Sequence, residues 1–410
     1  MSVKKSATAI TLGVILLLSG VAFSKSAWRR VDSGTQYFMK SISAPDSLHV
    51  WVTGSGRVLR STDGGLSWSI QFNSPSVGFD IVRFVDSLHG WGLGAFCCYV
   101  SVVYRTVDGG STWNQVNFPP TIQPIRAASF VDTLNGWAAA DGDTIYRTTN
   151  GGLSWTPHFV GESSFIPFQI QFVDSLRGWV AGSKFTGNEY PRIFHSSDGG
   201  RNWVMQSLNL ADTGGYVKDI DFIDGNIGWL LTAVAGERIY RTTDGGVTWA
   251  VMYGEAGGPI RKALDFIDDS RGWMAGTTFF GGFVSTIGHS IDSGKSFVDT
   301  VIQEGGDAQK IKMFNENIGW AVDDAGGVLL YAPPTLGDVN WDGNFTSADV
   351  VLEINKVFLE EPFPAPAEAG DVNCDSRFSA ADVVWLLQAI FMERPFPCSI
   401  ASQTDLANLS

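Results

Sequence analysis

Basic side chains are scarce in this chain: 28 Lys and Arg stand against 42 Asp and Glu, a formal net charge of −14 over 410 residues. No run of Lys or Arg occurs, so nucleic acid is not an expected partner. Histidine is scarce too, with five scattered residues and no metal-ligand spacing. No Gly-x-Ser-x-Gly, His-Glu-x-x-His or phosphate-loop motif is present, which removes several common signatures of catalysis. Only four Cys occur. Cys97 and Cys98 are adjacent and poorly placed to bridge each other. Cys374 and Cys398 share one short segment, and their pairing is open on sequence alone. Past the N-terminus no apolar run is long enough to span a bilayer.

The N-terminus reads as a secretory signal. Lys4 and Lys5 form a positive start, and Ala7 to Ala22 is largely apolar. Ala22-Phe23-Ser24 puts small residues where cleavage needs them, so residues 1–24 are expected to be removed. The mature charge would then be −16, from −14 less Lys4 and Lys5. The apolar stretch is short for a membrane anchor.

What the chain does have is glycine and tryptophan. With 47 Gly, 15 Trp and 12 % aromatic residues it suits an all-β fold with many tight turns. The decisive feature is a repeat. Ser/Thr-x-Asp-x-Gly-x-Ser/Thr-Trp occurs at Ser61–Trp68, Thr106–Trp113, Thr148–Trp155 (with Asn150), Ser196–Trp203, Thr242–Trp249 and, degenerate, Ser290–Phe297, at intervals of 42 to 48 residues. A second element, Phe-x-Asp followed by Gly-Trp, ends at Trp91, Trp137, Trp179, Trp229 and Trp273. A shortened copy starts at Phe314 and ends at Trp320, and a first copy lacking Phe and Gly ends at Trp51.

Seven such units, each with several short apolar runs, fit seven four-stranded propeller blades. The carboxylate of each box can accept bonds from its own turn, and its Gly residues allow positive φ. Arg60, Arg105, Arg147 and Arg241 recur at one repeat position and read as structural. The last unit has Val328-Leu329-Leu330-Tyr331 and then Pro333-Pro334, with no box and no fourth strand. Trp28-Arg29-Arg30-Val31 looks like a fourth strand with no blade before it. Joining the two would close the ring and hide exposed sheet edges.

These repeats resemble the Asp-box, or bacterial neuraminidase, repeats. In spacing and in the Phe-x-Asp…Gly-Trp element they are most similar to the photosystem II assembly-factor type of propeller. The resemblance covers about residues 28–332 and speaks to fold far more than to function.

Gly337 opens a different pattern. Asp338, Asn340, Asp342, Thr346 and Asp349 place oxygen side chains at loop positions 1, 3, 5, 9 and 12, with Gly343 at position 6. That is the arrangement of a calcium loop, since a hard cation needs many oxygens and Gly permits the sharp turn. It returns 33 residues later as Asp371, Asn373, Asp375, Ser379 and Asp382. Each loop runs into an apolar helical pattern: Val350, Val351, Ile354, Val357 and Phe358, then Val383, Val384, Leu387, Ile390 and Phe391.

Two loops in register, each followed by one helix, resemble a type I dockerin. That resemblance implies calcium as cofactor and a cohesin-like or cell-surface scaffold protein as partner. Its ligands would be Asp338, Asn340, Asp342 and Asp349, and Asp371, Asn373, Asp375 and Asp382, with Asn344 and Arg377 giving backbone carbonyls. Ser376 stands where Gly is expected, which weakens the second loop. Ser347-Ala348 and Ala380-Ala381 occupy the positions through which dockerins read cohesins, without the usual hydroxyl-rich pair. The expected organisation is a signal peptide at 1–24, an all-β seven-bladed β-propeller at 25–335, a small α-helical calcium-loop domain at 336–400 and a tail at 401–410.

Two functions compete. A glycoside hydrolase, sialidase-like or xyloglucanase-like, needs two carboxylates facing a bond. The candidates are Asp219, Asp221 and Asp265, but the resemblance to those enzymes stops short. No cluster of three Arg with a Tyr nucleophile can be assembled, Arg192-Ile193 lacks the usual following Pro, and there is one propeller instead of two. A secreted, non-catalytic binding propeller is favoured. One inner-strand position reads Lys40, Asp80, Arg126, Phe168, Lys218, Lys262 and Lys310 across the blades, so five of seven are basic in an acidic protein. The hairpins of blades two, four and six are longer than those of one, three and five and carry Phe96, Tyr99, Phe185, Tyr190, Phe279, Phe280 and Phe283. An aromatic rim around a basic mouth suits an anionic protein or glycan ligand.

Overall fold

The computed structural model describes residues 28–331 except 97–99, 120–122, 209–214, 235, 256–257, 280–282 and 303–304. In the C-terminal part it describes 350–351, 354, 372 and 379–392. Residues 28–331 form seven four-stranded antiparallel sheets, a seven-bladed β-propeller. Blade five is representative, with strands Gly215–Phe222, Gly228–Val234, Glu237–Thr242 and Ala250–Glu255 running outward in order.

The ring closes as the repeat pattern implies. Trp28–Val31 is the outermost strand of blade seven, and Trp28, Arg29, Arg30 and Val31 pair with Tyr331, Leu330, Leu329 and Val328. The indole of Trp28 lies 5.0 Å from the Tyr331 ring and packs into the cluster that holds Trp273. Arg30 reaches the buried carboxylate of Asp323 at 3.4 Å.

The repeated residues hold each blade to the next. The blade tryptophans Trp51, Trp91, Trp137, Trp179, Trp229, Trp273 and Trp320 are all fully buried. Six of them donate an indole N–H to a box carbonyl of the following blade, for example Trp91 to Gly151 at 2.9 Å and Trp179 to Gly245 at 2.9 Å. Trp320 closes the circle onto Gly64. Trp273 faces blade seven, which has no box; its ring lies with His289 and Tyr331 instead.

The Phe of each Phe-x-Asp stacks flat on the tryptophan of the blade before it, at 3.6 Å for Trp179 and Phe222 and 3.5 Å for Trp137 and Phe172. The Gly of Gly-Trp is required by the same ring. A Cβ on Gly178 would sit 2.4 Å from Phe172, and one on Gly228 2.3 Å from Phe222. Blade one exchanges both at once: Ala44 replaces the ring, and Val50 fills the space in the cluster they share.

Inside each box the Asp acts as a local clasp. Asp63 accepts the Ser67 N–H at 2.9 Å and the Ser61 hydroxyl at 2.7 Å. Ser61 in turn accepts the Gly65 N–H at 2.7 Å. The Asp of Phe-x-Asp makes a similar turn, as Asp132 does with the N–H groups of Leu134 and Asn135. Arg60, Arg105, Arg147 and Arg241 each stand opposite their own blade tryptophan.

In the C-terminal part a helix spans Ala380–Met392, with Val383 and Leu386 turned inward. Val384 and Leu387 are partly exposed.

Candidate functional site

All seven inner strands face one central channel, a cavity of 320 Å³. Three successive rings of side chains follow from the pairing register. The outermost sits on a β-bulge that recurs where inner and second strands pair, at Asp80, Arg126, Phe168, Lys218, Lys262 and Gln309. A bulge leaves one residue unpaired and redirects its side chain. Lys40 holds the corresponding place in blade one, just before the strand Ser41–Ser43.

Lys310 is not in this ring. It pairs with Val322 as Asp219 pairs with Leu231, so it belongs one step further into the channel. The cause lies in the turn of blade seven. Asn315, not Glu316, makes the Asx turn, accepting the N–H groups of Asn317 and Ile318. Met313 therefore takes the place of the blade Phe, and Phe314 points outward, 43 % exposed.

The cations at the mouth do not form an unpaired cluster. Lys40 is 2.6 Å from Asp80, and Arg126 grips Asp141 with two bonds of 2.9 and 2.8 Å. Lys218 pairs with Glu237 and donates to the Arg261 carbonyl at 2.7 Å. Lys262 lies 3.1 Å from Asp307 and Lys310 3.2 Å from Asp219. The protein itself supplies a counter-charge for each of these cations. Asp80 shares the repeat position of Lys40, but Asp141, Glu237 and Asp307 lie off the inner strands, so that position alone did not reveal those three.

In blade six the described strands of the long hairpin continue past the start of the inner strand, with Phe279 opposite Phe283. Phe279 and Phe283 are 72 % and 59 % exposed and meet edge to face at 5.7 Å. Phe280 lies outside the described residues. Phe185 is also exposed, and Phe168 meets Tyr216 across two blades at 5.4 Å.

The three candidate acids line the channel, and each serves as a tie between blades. Asp219 accepts the Gln169 amide at 2.6 Å and the Leu264 N–H at 3.2 Å. Asp221 accepts the Gln171 amide at 3.0 Å and the Phe266 N–H at 2.6 Å. Asp265 accepts Lys312 at 2.7 Å and the Met313 N–H at 2.5 Å. Neutral side chains do the same work in other blades, where Gln171 accepts Phe222 N–H at 2.7 Å and Ser43 accepts Phe84 N–H at 2.8 Å.

Burial and the neighbouring Asp265 push Asp221 up to about 7, against the pull of Lys312. Asp265 is also raised, by burial above all. Lys312 is raised, its nearby carboxylates outweighing burial. Arg83 reaches both neighbouring blades, to the Ala128 carbonyl at 3.0 Å and the Ser41 hydroxyl at 3.0 Å. Sequence reading passed over Arg83, Gln171 and Lys312. The signal was there, since each lies one residue before its blade's Phe or Met position.

Of the calcium-loop residues only Asp382, with Ser379, is described. Asp382 is fully buried at the start of its helix, and its carboxylate accepts the Ser379 N–H at 2.9 Å and hydroxyl at 3.2 Å. Asp338, Asn340, Asp342, Asn344, Asp349, Asp371, Asn373, Asp375 and Arg377 lie outside the described residues. Among the described residues no group of three His, Cys, Asp or Glu is placed to hold a metal.

Comparison with known proteins agrees with this architecture. Residues 120–268 match the family model of the photosynthesis system II assembly factor YCF48. Residues 336–391 match that of the dockerin type I domain. No curated protein matches the chain. Among solved structures, YCF48 bound to D1 peptide is 18 % identical with a TM-score of 0.61, covering 76 % of this chain and 99 % of that one. A GH74 enzyme from Niastella koreensis is 13 % identical with a TM-score of 0.58, covering 73 % of this chain and 53 % of that one. Virginiamycin B lyase from Staphylococcus aureus is 13 % identical with a TM-score of 0.59, covering 75 % and 99 %. At these identities the likeness is one of fold.

Proposed function

We propose that this is an exported, non-catalytic binding propeller, held to a cohesin-like or cell-surface scaffold through its calcium-dependent dockerin-like module. One observation carries the non-catalytic part. Every candidate acid of the channel accepts a backbone N–H of a neighbouring blade, as neutral Ser43 and Gln171 do elsewhere in the ring, which supports a structural role for them. The scaffold part rests on the dockerin match and on two oxygen-rich loops in register. The ligand is assigned to the mouth, where Lys40, Arg126, Lys218 and Lys262 alternate with carboxylates beside Phe279 and Phe283. Rigid exposed aromatics beside paired charges suit recognition of an extended protein segment or a glycan. One structural neighbour is described as bound to a peptide, so peptides are the ligands to try first.

The competing reading is a glycoside hydrolase, favoured by the fold shared with a GH74 enzyme. This chain spans about half of that enzyme's length. The full chain should bind an immobilised cohesin in calcium, leave it on chelation, and release no reducing sugar from xyloglucan or sialosides. Hydrolysis that disappears in Asp219→Ala or Asp265→Ala would overturn the non-catalytic assignment.

A further inference from the structure

The hydrogen-bond capacity of the channel is unbalanced. Its lining includes three carboxylates, Asp219, Asp221 and Asp265, and three cations, Arg83, Lys310 and Lys312. Each carboxylate is already engaged on both oxygens. Asp219 accepts four bonds, from Gln169, Ile220, Leu264 and Lys310. Asp221 and Asp265 each accept on both oxygens.

The cations are not saturated. An ammonium has three N–H donors and a guanidinium five. Lys310 and Lys312 each spend one donor, on Asp219 and Asp265. Arg83 spends Nε on Ala128 and Nη1 on Ser41 and Val82, and its Nη2 has no protein acceptor among the described residues. Lys312 keeps 42 % of its side chain open to the channel.

The three cations also converge on one space. Arg83 comes from blade two. Lys310 and Lys312 come from blade seven, and Lys310 reaches past blade six to blade five. The cavity of 320 Å³ would hold about ten waters at roughly 30 Å³ each, room for a small ion with part of its hydration. Because burial and Asp265 hold Asp221 at about 7, part of the lining's negative charge is absent near neutrality.

We propose that the central channel binds a small multivalent oxyanion, held by the spare donors of Arg83, Lys310 and Lys312. Surplus donors in a partly desolvated cavity make charge-assisted bonds stronger than those to water. The site needs neither the mouth aromatics nor the C-terminal module, so it stands or falls apart from the function proposed above.

Inorganic phosphate is the probe, titrated into the full chain at neutral pH with sodium chloride holding ionic strength constant. Calorimetry should show one saturable site. Lys310→Gln and Lys312→Gln should each weaken it by at least about tenfold, with Lys295→Gln, exposed in the box turn of blade six, as an unaffected control. Lys310→Gln leaves buried Asp219 three other donors, Gln169, Ile220 and Leu264, and so carries the test if Lys312→Gln, beside buried Asp265, melts early. Absence of a saturable site in the parent overturns the proposal. So does phosphate affinity that is the same in the parent and in Lys310→Gln.

Discussion

The most informative single substitution is Trp28→Ala. Trp28 is the first residue of the strand that closes the ring, only 7 % exposed, with its indole against Tyr331 and the Trp273 cluster. Truncating a buried tryptophan costs about 3–5 kcal/mol, through lost transfer energy and the cavity left behind. The propeller has roughly 300 residues and unfolds with an entropy of about 2.1 cal/mol/K per residue, or about 0.6 kcal/mol/K. The melting temperature should therefore fall by about 5–8 °C. The control is Ile70→Ala, in the outer strand of blade one, where the side chain is 54 % exposed and anchors nothing. That change should stay within about 0.5 kcal/mol, or about 1 °C. Differential scanning calorimetry on both variants reads the difference. If Trp28→Ala melts with Ile70→Ala, the N-terminal strand does not hold the ring shut, and the closure described here is wrong.

Gly178→Ala should destabilise by about 1–3 kcal/mol, because its Cβ would meet the Phe172 ring at 2.4 Å; denaturant unfolding checks it. Asp221→Asn should gain stability relative to the parent as pH rises. The folded value is raised, so the contribution of Asp221 is fully present below about 4 and is lost as pH climbs to about 7. Melting curves at pH 4 should coincide, and at pH 8 the variant should melt higher; a lower melt at pH 8 would sink the reasoning. Chelation should unfold the segment 337–400 and leave the propeller's transition in place, with Asp338→Ala more damaging to calcium binding than Asp371→Ala because the second loop has Ser376 where the sharp turn favours Gly.

The fold was legible because its repeat carries the contacts between blades. Trp, Phe, Gly and box Asp recur since each blade must present the same surface to the next. The one place where the register slipped was blade seven. There Phe314 imitates the recurring ring while Met313 occupies its site, and only the Asx turn of Asn315 reveals the shift. Most cations at the mouth were legible by position, but three of their counter-charges were not. Asp141, Glu237 and Asp307 lie outside the inner strands, and no local pattern links them to Arg126, Lys218 and Lys262. Only Asp221 and Asp265 of the channel ring were singled out, because its members change chemical type from blade to blade: Ser43, Arg83, Ser129, Gln171, Asp221, Asp265 and Lys312. What they share is a backbone geometry, not a side chain.

The strand Val328–Tyr331, from which the chain continues toward the C-terminal module, lies between two others, paired with Gly319–Asp323 on one side and Trp28–Val31 on the other. A pull applied beyond residue 331 would load two hydrogen-bonded ladders at once. Had the last strand been the outermost of its blade, the same pull could peel it away one bond at a time. The closure therefore places the point of attachment at a mechanically shielded strand, and the first strand to yield under load would have to break both ladders together.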